Sequence, residues 1–157
     1  MSIDQSLTST GVIIWHKAPY LVKLSSNKGD EVIVRIRDIV SQLTGLIAKH
    51  GVTETVIESL PYGLNSTSVR PLAALYHCIH NMCIDLGIQF YESHVTSVKK
   101  LATGSGKAKK EQMIEAFANA DPILYQAVLE SGLKKTTGLA DIADAYWIGR
   151  LMKEIDG

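Results

Sequence analysis

A final helix is predicted by the stretch Gly138-Leu-Ala-Asp-Ile-Ala-Asp-Ala-Tyr-Trp-Ile-Gly149, and it runs to about Lys153. Within it, Asp141 and Asp144 lie three residues apart, so both carboxylates project from one helical face. The neighbouring side chains are almost all apolar, which is typical of a helix packed inside a protein. Two unpaired like charges would be very costly there. Either a divalent cation lies between them, or one or both carboxylates cap the start of the helix.

The length and composition favour one globular domain over 1–157. The chain has 157 residues, of which 46% are hydrophobic, enough for a substantial core. No apolar run reaches about 18 residues, so no membrane span is predicted, and the first residues lack the pattern of a secretory signal. Cys78 and Cys83 fall inside a helical pattern, and we expect reduced thiols in a cytoplasmic protein.

Positive charge is concentrated in one segment although the chain is neutral overall. Sixteen basic residues balance sixteen acidic residues. Five lysines nevertheless fall within twelve residues that contain no acid: Lys99, Lys100, Lys107, Lys109 and Lys110. The segment is either a solvated face or a surface that binds phosphate. Its glycines do not form a phosphate-binding loop of the nucleotide-binding type, so that class of function is disfavoured.

The periodicity of apolar residues predicts an α/β fold with a mixed five-stranded sheet flanked by helices. The first three strands are short and form an antiparallel meander. The first predicted strand ends at 4, and the others cover 11–15, 19–24, 53–59 and 88–92. Helices are predicted over 30–50, from 66 or 68 to 86, over 109–118 and over 121–130, before the final helix. A helical turn is predicted over 95–101 and a polar segment over 131–137.

Acidic residues occupy positions where polar groups can converge. Asp4 ends the first strand and Glu58 ends the fourth, and sites in α/β sheets gather outside the ends of strands. Together with Asp141 and Asp144 they could meet only in a fold that brings three distant elements together.

Four blocks of the sequence resemble the RuvC family of Holliday-junction resolvases, in the RNase H-like superfamily. They are Ile-Asp-Gln-Ser-Leu-Thr-Ser-Thr-Gly (3–11), Val-Ile-Glu-Ser (56–59), Val-Lys-Lys followed by Gly-Ser-Gly-Lys-Ala-Lys-Lys-Glu-Gln-Met (98–113), and Ala-Asp-Ile-Ala-Asp-Ala (140–145). Their order and spacing cover nearly the whole chain. The first block departs from the Asp-Pro-Gly common in the family, since this chain has Asp4-Gln5-Ser6. Compact phage-encoded relatives vary at this turn, which is compatible with a viral origin.

The resemblance implies a magnesium-dependent nuclease in which Asp4, Glu58, Asp141 and Asp144 hold two Mg²⁺ ions per active site, with Mn²⁺ able to substitute. Lys110 matches a family lysine that acts near the scissile phosphate. Hard cations prefer carboxylate oxygens, and two ions about 4 Å apart can activate a water and stabilise the leaving oxyanion. The implied reaction is resolution of four-way junctions by paired symmetric nicks. A broader fork or flap nuclease, an RNase H-like enzyme acting on another duplex and a catalytically silent junction binder remain alternatives.

Further DNA contacts are implied beside the acidic site. Lys99 matches a basic position that faces DNA, and the neighbouring lysines extend that face. Tyr62 and Asn65 lie in the loop that in the family approaches the junction centre, where an aromatic ring either stacks on an unpaired base or closes a turn over the core. Arg70 either contacts phosphate or forms a local salt bridge.

The helix around 68–86 is expected to form the interface of a homodimer. RuvC relatives dimerise through the corresponding helix, and cutting two strands requires two active sites. The same helix carries His77, Cys78, His80 and Cys83. A zinc site is disfavoured because Cys78 points away from the face shared by the two histidines, and we expect these side chains to serve packing.

Overall fold

The computed structural model describes residues 1–60, 67 and 69–155. These residues contain a mixed sheet of five strands in the order β3-β2-β1-β4-β5. The strands β1, β2 and β3 form the antiparallel meander, whereas β4 runs parallel to β1 and β5 parallel to β4. This confirms the predicted α/β class and five-stranded sheet. The strand bounds are Ser2–Asp4 (β1), Thr10–Ile14 (β2), Tyr20–Leu24 (β3), Glu54–Glu58 (β4) and Gln89–Ser93 (β5).

Six α-helices accompany the sheet in the described ranges, and two of them differ from the sequence prediction. The predicted turn after β5 is a full helix, and the final helix begins at Ala140 rather than at Gly138. Gly138 has φ 117° within a kinked turn over Lys135–Leu139, and this sign of φ is incompatible with a right-handed helix. The helix bounds are Val32–His50 (α1), Val69–Asp85 (α2), Val95–Thr103 (α3), Lys110–Ala120 (α4), Pro122–Glu130 (α5) and Ala140–Ile155 (α6).

Two apolar cores lie on opposite faces of the sheet. Because successive strand side chains alternate between faces, Ile13 packs with α3 to α6, while Val12 and Ile14 pack with α1 and α2. Helix α6 is buried nearly all round, with Ile142 and Ile148 fully inaccessible to solvent. This confirms the prediction of an internal final helix. In the described part of the chain, no helix is both long and apolar enough to cross a membrane.

Two glycines allow α6 to lie directly on the antiparallel part of the sheet. A Cβ atom on Gly11 would lie 2.2 Å from the carbonyl oxygen of Asp141, at the start of the helix. A Cβ atom on Gly149 would lie 2.2 Å from the indole nitrogen of Trp15. Both distances are far shorter than van der Waals contact, so the close approach requires glycine at both positions. The first turn of α6 is thereby held beside the end of β1.

Candidate active site

The four acidic residues singled out in the sequence line one cavity of about 350 Å³. Asp4 and Glu58 are the last residues of β1 and β4, which run parallel with Ile3 opposite Ile57. Their side chains therefore emerge at the same edge of the sheet. Asp141 and Asp144 reach that edge from the first turns of α6. The topology thus brings together carboxylates that are far apart in the sequence.

Burial and mutual repulsion raise the pKa of Asp4 well above its ordinary value. Desolvation is the largest cause, followed by the negative charges of Asp144, Glu58 and Asp141, in that order. The positive charge of Lys110 opposes these effects. The negative charges of the other three carboxylates thus all act on Asp4.

Glu58 and Asp144 are perturbed in the same direction. Burial raises the pKa of Glu58 to about 7, with a further contribution from Asp144, whereas Lys99 lowers it. Burial also raises the pKa of Asp144 to about 6. Among the nearby charges, Lys110 lowers this pKa, Asp141 raises it and Lys99 lowers it. Perturbed carboxyl groups in a cleft are characteristic of functional sites.

The loop between β1 and β2 contacts two of the acid-bearing elements. The hydroxyl of Ser9 donates a hydrogen bond to Oδ2 of Asp141. The side-chain amide of Gln5 donates to the backbone oxygen of Glu58 at 3.4 Å, beyond the point where the β1–β4 ladder ends at Ile3 and Ile57. Gln5 is only 8% exposed, and its Oε1 atom is buried without a partner among the described residues. Neither contact is predictable from the sequence, because each joins positions that are distant along the chain.

The donor set fits hard divalent cations. The acidic side chains that line the cavity supply only oxygen ligands, the type that Mg²⁺ and Mn²⁺ prefer. Burial and like charge also destabilise their ionised forms, and a bound cation would relieve both effects. As the side chains stand, no group of three His, Cys, Asp or Glu residues in 1–60, 67 and 69–155 is arranged around a common ion position. Ligation would therefore require adjustment of the side chains.

Two of the predicted lysines line the same cavity. Lys99 projects from α3, and Lys110 is the first residue of α4. Within the described residues, the cavity lining does not include Arg70 or the other three lysines. Tyr62 and Asn65 lie outside the described residues. Among the residues predicted to contact DNA, Arg70, Lys100, Lys107 and Lys109 are exposed and lie outside the cavity lining.

The histidines and cysteines of α2 make packing contacts. The ring of His80 stacks on Phe90 with centroids 4.0 Å apart and an angle of 9° between the planes. Tyr76 meets the ring of His77 edge-on. Cys83 is buried in the core and Cys78 is half-buried, and both are free thiols. These contacts agree with the predicted structural role.

Sequence comparison relates the chain to crossover junction endodeoxyribonucleases. The family model for crossover junction endodeoxyribonuclease RuvC matches residues 1–146. The RuvC protein of Sulfurovum sp. is 31% identical over 128 residues, which cover 82% of this chain and 72% of the relative. The RuvC protein of Helicobacter pylori is 34% identical over 79 residues, half of each chain.

Solved structures match almost the whole chain in fold. The structure of Thermus thermophilus RuvC in complex with a Holliday junction substrate has a TM-score of 0.71 at 17% identity, covering 99% of this chain and 92% of that chain. The yeast mitochondrial Holliday junction resolvase has a TM-score of 0.68 at 12% identity, covering 99% and 79%. These likenesses confirm the RNase H-like fold. Together with the match over residues 1–146, they establish that the chain belongs to the RuvC family of crossover junction endodeoxyribonucleases.

Proposed function

We propose that this chain is a cytoplasmic, Mg²⁺-dependent endonuclease that resolves four-way DNA junctions by paired symmetric nicks. The observation that carries the proposal is the convergence of four carboxylates and two lysines on one cavity. A chain of the RuvC family with this set of side chains has the groups needed for phosphodiester hydrolysis. The junction as substrate is supported by the relative from Thermus thermophilus, whose structure is described as a complex with a Holliday junction.

The four carboxylates would hold the catalytic ions, with Mn²⁺ as an effective substitute for Mg²⁺. Asp4 and Glu58 are fixed by the ends of two neighbouring strands, and Asp141 and Asp144 by one helix packed against the sheet. This rigidity keeps oxygen ligands together despite their repulsion. Two bound Mg²⁺ ions would supply an activated water and stabilisation of the leaving oxyanion.

The lysines would act on the phosphate backbone. Lys110 lines the same cavity as Asp4 and Asp144, where its positive charge opposes the rise in the pKa of both acids, and it would offset charge on a phosphate bound over them. Lys99 has the same relation to Glu58. The exposed lysines of the α3–α4 region would follow the DNA backbone away from the cut, and the segment with Tyr62 and Asn65, together with Arg70, would contact the branch.

A homodimer would supply the second active site. Ile84, in the last turn of α2, is 66% exposed, and Leu86, just beyond the end of this helix, is 45% exposed. Two shallow cavities between α1 and α2 share Val40 and Cys78 and so form one continuous apolar groove. Ile33 extends this surface on α1 with an exposure of 64%. Exposed apolar surface of this kind marks an interface, and a two-fold axis suits a substrate that must be cut on two strands.

Cleavage of a substrate panel tests the proposed function. A labelled four-way junction, a fork, a linear duplex and an RNA–DNA hybrid are incubated with the protein in Mg²⁺, in Mn²⁺ and in EDTA. We expect metal-dependent cutting of the junction at symmetric positions on two strands. Preference for the fork would indicate a broader branched-DNA nuclease, and preference for linear or hybrid duplex would overturn the resolvase assignment. Tight junction binding without cutting in either metal would identify a silent junction-binding protein instead.

A further inference from the structure

A residue that is not one of the four acids donates a hydrogen bond to one of them. The hydroxyl of Ser9, in the loop between β1 and β2, donates to Oδ2 of Asp141 across 132 positions of sequence. Both side chains are half-buried. Ser9 does not itself line the cavity in the described structure, whereas Asp141 does. The contact therefore joins a surface loop to a predicted metal ligand.

The loop holds Ser9 in place through its own hydrogen bonds. The backbone N–H groups of Thr8 and Ser9 donate to Oγ of Ser6 at 3.2 and 3.4 Å. The N–H of Ser6 donates to Oγ1 of Thr10 at 3.2 Å, and the Thr10 hydroxyl donates back to the carbonyl of Ser6. Serine and threonine hydroxyls commonly stabilise tight turns in this way. The turn therefore presents the Ser9 hydroxyl in a defined position.

The other end of the bond is equally constrained. The backbone of Asp141 lies on Gly11, too close for any side chain at that position. Its Cα is thus fixed, while its side-chain torsions can still rotate. A carboxylate that is held through one oxygen keeps lone pairs on the other for a cation. A partner that fixes those torsions before the ion arrives lowers the entropic cost of binding.

We propose that Ser9 is a positioning residue for Asp141: its hydroxyl holds the carboxylate through Oδ2 and leaves Oδ1 for the divalent cation, while the other acidic side chains adjust around the ion. This inference rests on the proposed function, because it takes Asp141 as a ligand. Hydrogen-bond partners of metal ligands orient them, and their loss reduces metal affinity or activity by about 10- to 100-fold. The bond to Ser9 gives Asp141 such a partner.

Metal binding by three variants tests the proposal. Calorimetric titration with Mn²⁺ in the absence of DNA is compared for the wild type, Ser9→Ala, Ser9→Thr and Thr8→Ala. Thr8 lies in the same loop, but its hydroxyl accepts a hydrogen bond from Arg35 at 3.3 Å instead of contacting Asp141. We expect Ser9→Ala to weaken Mn²⁺ binding by about tenfold. Ser9→Thr keeps the hydroxyl and should bind Mn²⁺ almost like the wild type, as should Thr8→Ala.

The same variants separate this inference from the proposed function. In junction cleavage, Ser9→Ala should need about tenfold more Mn²⁺ for half-maximal rate and recover at high Mn²⁺. The inference is overturned if Ser9→Ala binds Mn²⁺ like the wild type, if Thr8→Ala or Ser9→Thr loses as much affinity, or if the wild type binds no Mn²⁺. A wild type that binds Mn²⁺ but never cuts a junction would defeat the proposed function, and calorimetry would still decide the role of Ser9.

Discussion

Asp4 and Gly11 lie directly opposite each other in the β1–β2 ladder, and Gly11 is also the residue on which the start of α6 rests. In this pair, Asp4 provides one carboxylate of the site. Gly11 leaves the space for α6, which carries the carboxylates of Asp141 and Asp144. The distance between the sheet and α6 at this point determines how closely Asp141 approaches Asp4. A change of Gly11 should consequently affect both stability and chemistry.

Gly11→Ala should destabilise the protein by about 1–3 kcal/mol, the usual cost of overpacking a well-packed interior. The added Cβ would meet the backbone of Asp141, so α6 must shift and carry its carboxylates with it. Thermal and urea denaturation measure the loss, and junction cleavage should fall as well. Gly45→Ala is the matched control, because a Cβ on Gly45 meets no atom within 4 Å. In the interior of a helix, that change should stabilise by roughly 0.5–1 kcal/mol. Equal effects of the two changes would contradict the packing argument.

Asp4→Asn and Glu58→Gln should each lower cleavage of a junction by more than about a hundredfold, since a lost ligand costs at least as much as a lost partner of a ligand. Junction affinity in EDTA should stay near that of the wild type, because the lysines proposed to bind phosphate remain. The metal-free variants should also unfold at a higher temperature, since each removes a buried charge repelled by its neighbours. Asp38→Asn, on α1 and outside the cavity, serves as the control. Retention of wild-type cleavage by Asp4→Asn would refute the assigned role.

The acidic residues of this site could be predicted from the sequence, whereas the hydrogen bonds that they make could not. Strand ends and helical spacing are local patterns of the sequence, and they singled out Asp4, Glu58, Asp141 and Asp144. The resemblance to the RuvC family implied that these four residues share one site. The bond between Ser9 and Asp141 depends on how α6 lies on the sheet, which no local pattern encodes. The start of α6 was misplaced for a related reason: Gly138 is compatible with a helix in sequence but has a positive φ in the folded chain.

Without metal, the stability of the protein should fall as the pH rises from about 4 to about 7. The pKa of Glu58 is raised to about 7 and that of Asp144 to about 6, and the pKa of Asp4 is raised as well. At a pH between the ordinary carboxyl pKa values and these raised values, the folded state therefore binds more protons than the unfolded state. Stability must then decrease with pH across that interval. Thermal denaturation in EDTA measures the decrease.

Added Mg²⁺ should reverse this pH dependence, because the ions bind the deprotonated carboxylates and stabilise the folded state most at high pH. Cleavage should accordingly rise as the pH increases through about 6 to 7, the range of the raised pKa values. The double variant Glu58→Gln with Asp144→Asn should show a flatter stability profile in EDTA. An identical slope in the double variant would show that other groups cause the effect.

The lysines should divide into those that affect binding and those that affect cleavage. Lys107 is exposed and outside the cavity lining, so Lys107→Gln should weaken junction binding and reduce the slope of log affinity against log salt by about 0.9. Lys110 lines the cavity, and Lys110→Gln should lower the cleavage rate at saturating DNA. Affinity is measured in the Glu58→Gln background over a range of salt concentrations. A salt response that both changes leave unaltered would count against a phosphate-binding face.

Helix α2 offers a direct test of the homodimer. Ile84 is 66% exposed on α2, the helix that forms one side of the apolar groove, and Ile84→Glu would place a charge in the proposed interface, where an unpaired charge is costly. We expect this variant to sediment as a monomer and to cut the two junction strands independently, so that singly nicked junctions accumulate. Ile123 on α5 is 85% exposed, and Ile123→Glu should leave both properties unchanged. If Ile84→Glu remains dimeric and nicks in pairs, the interface does not include this face of α2, because an unpaired charge buried there would oppose association.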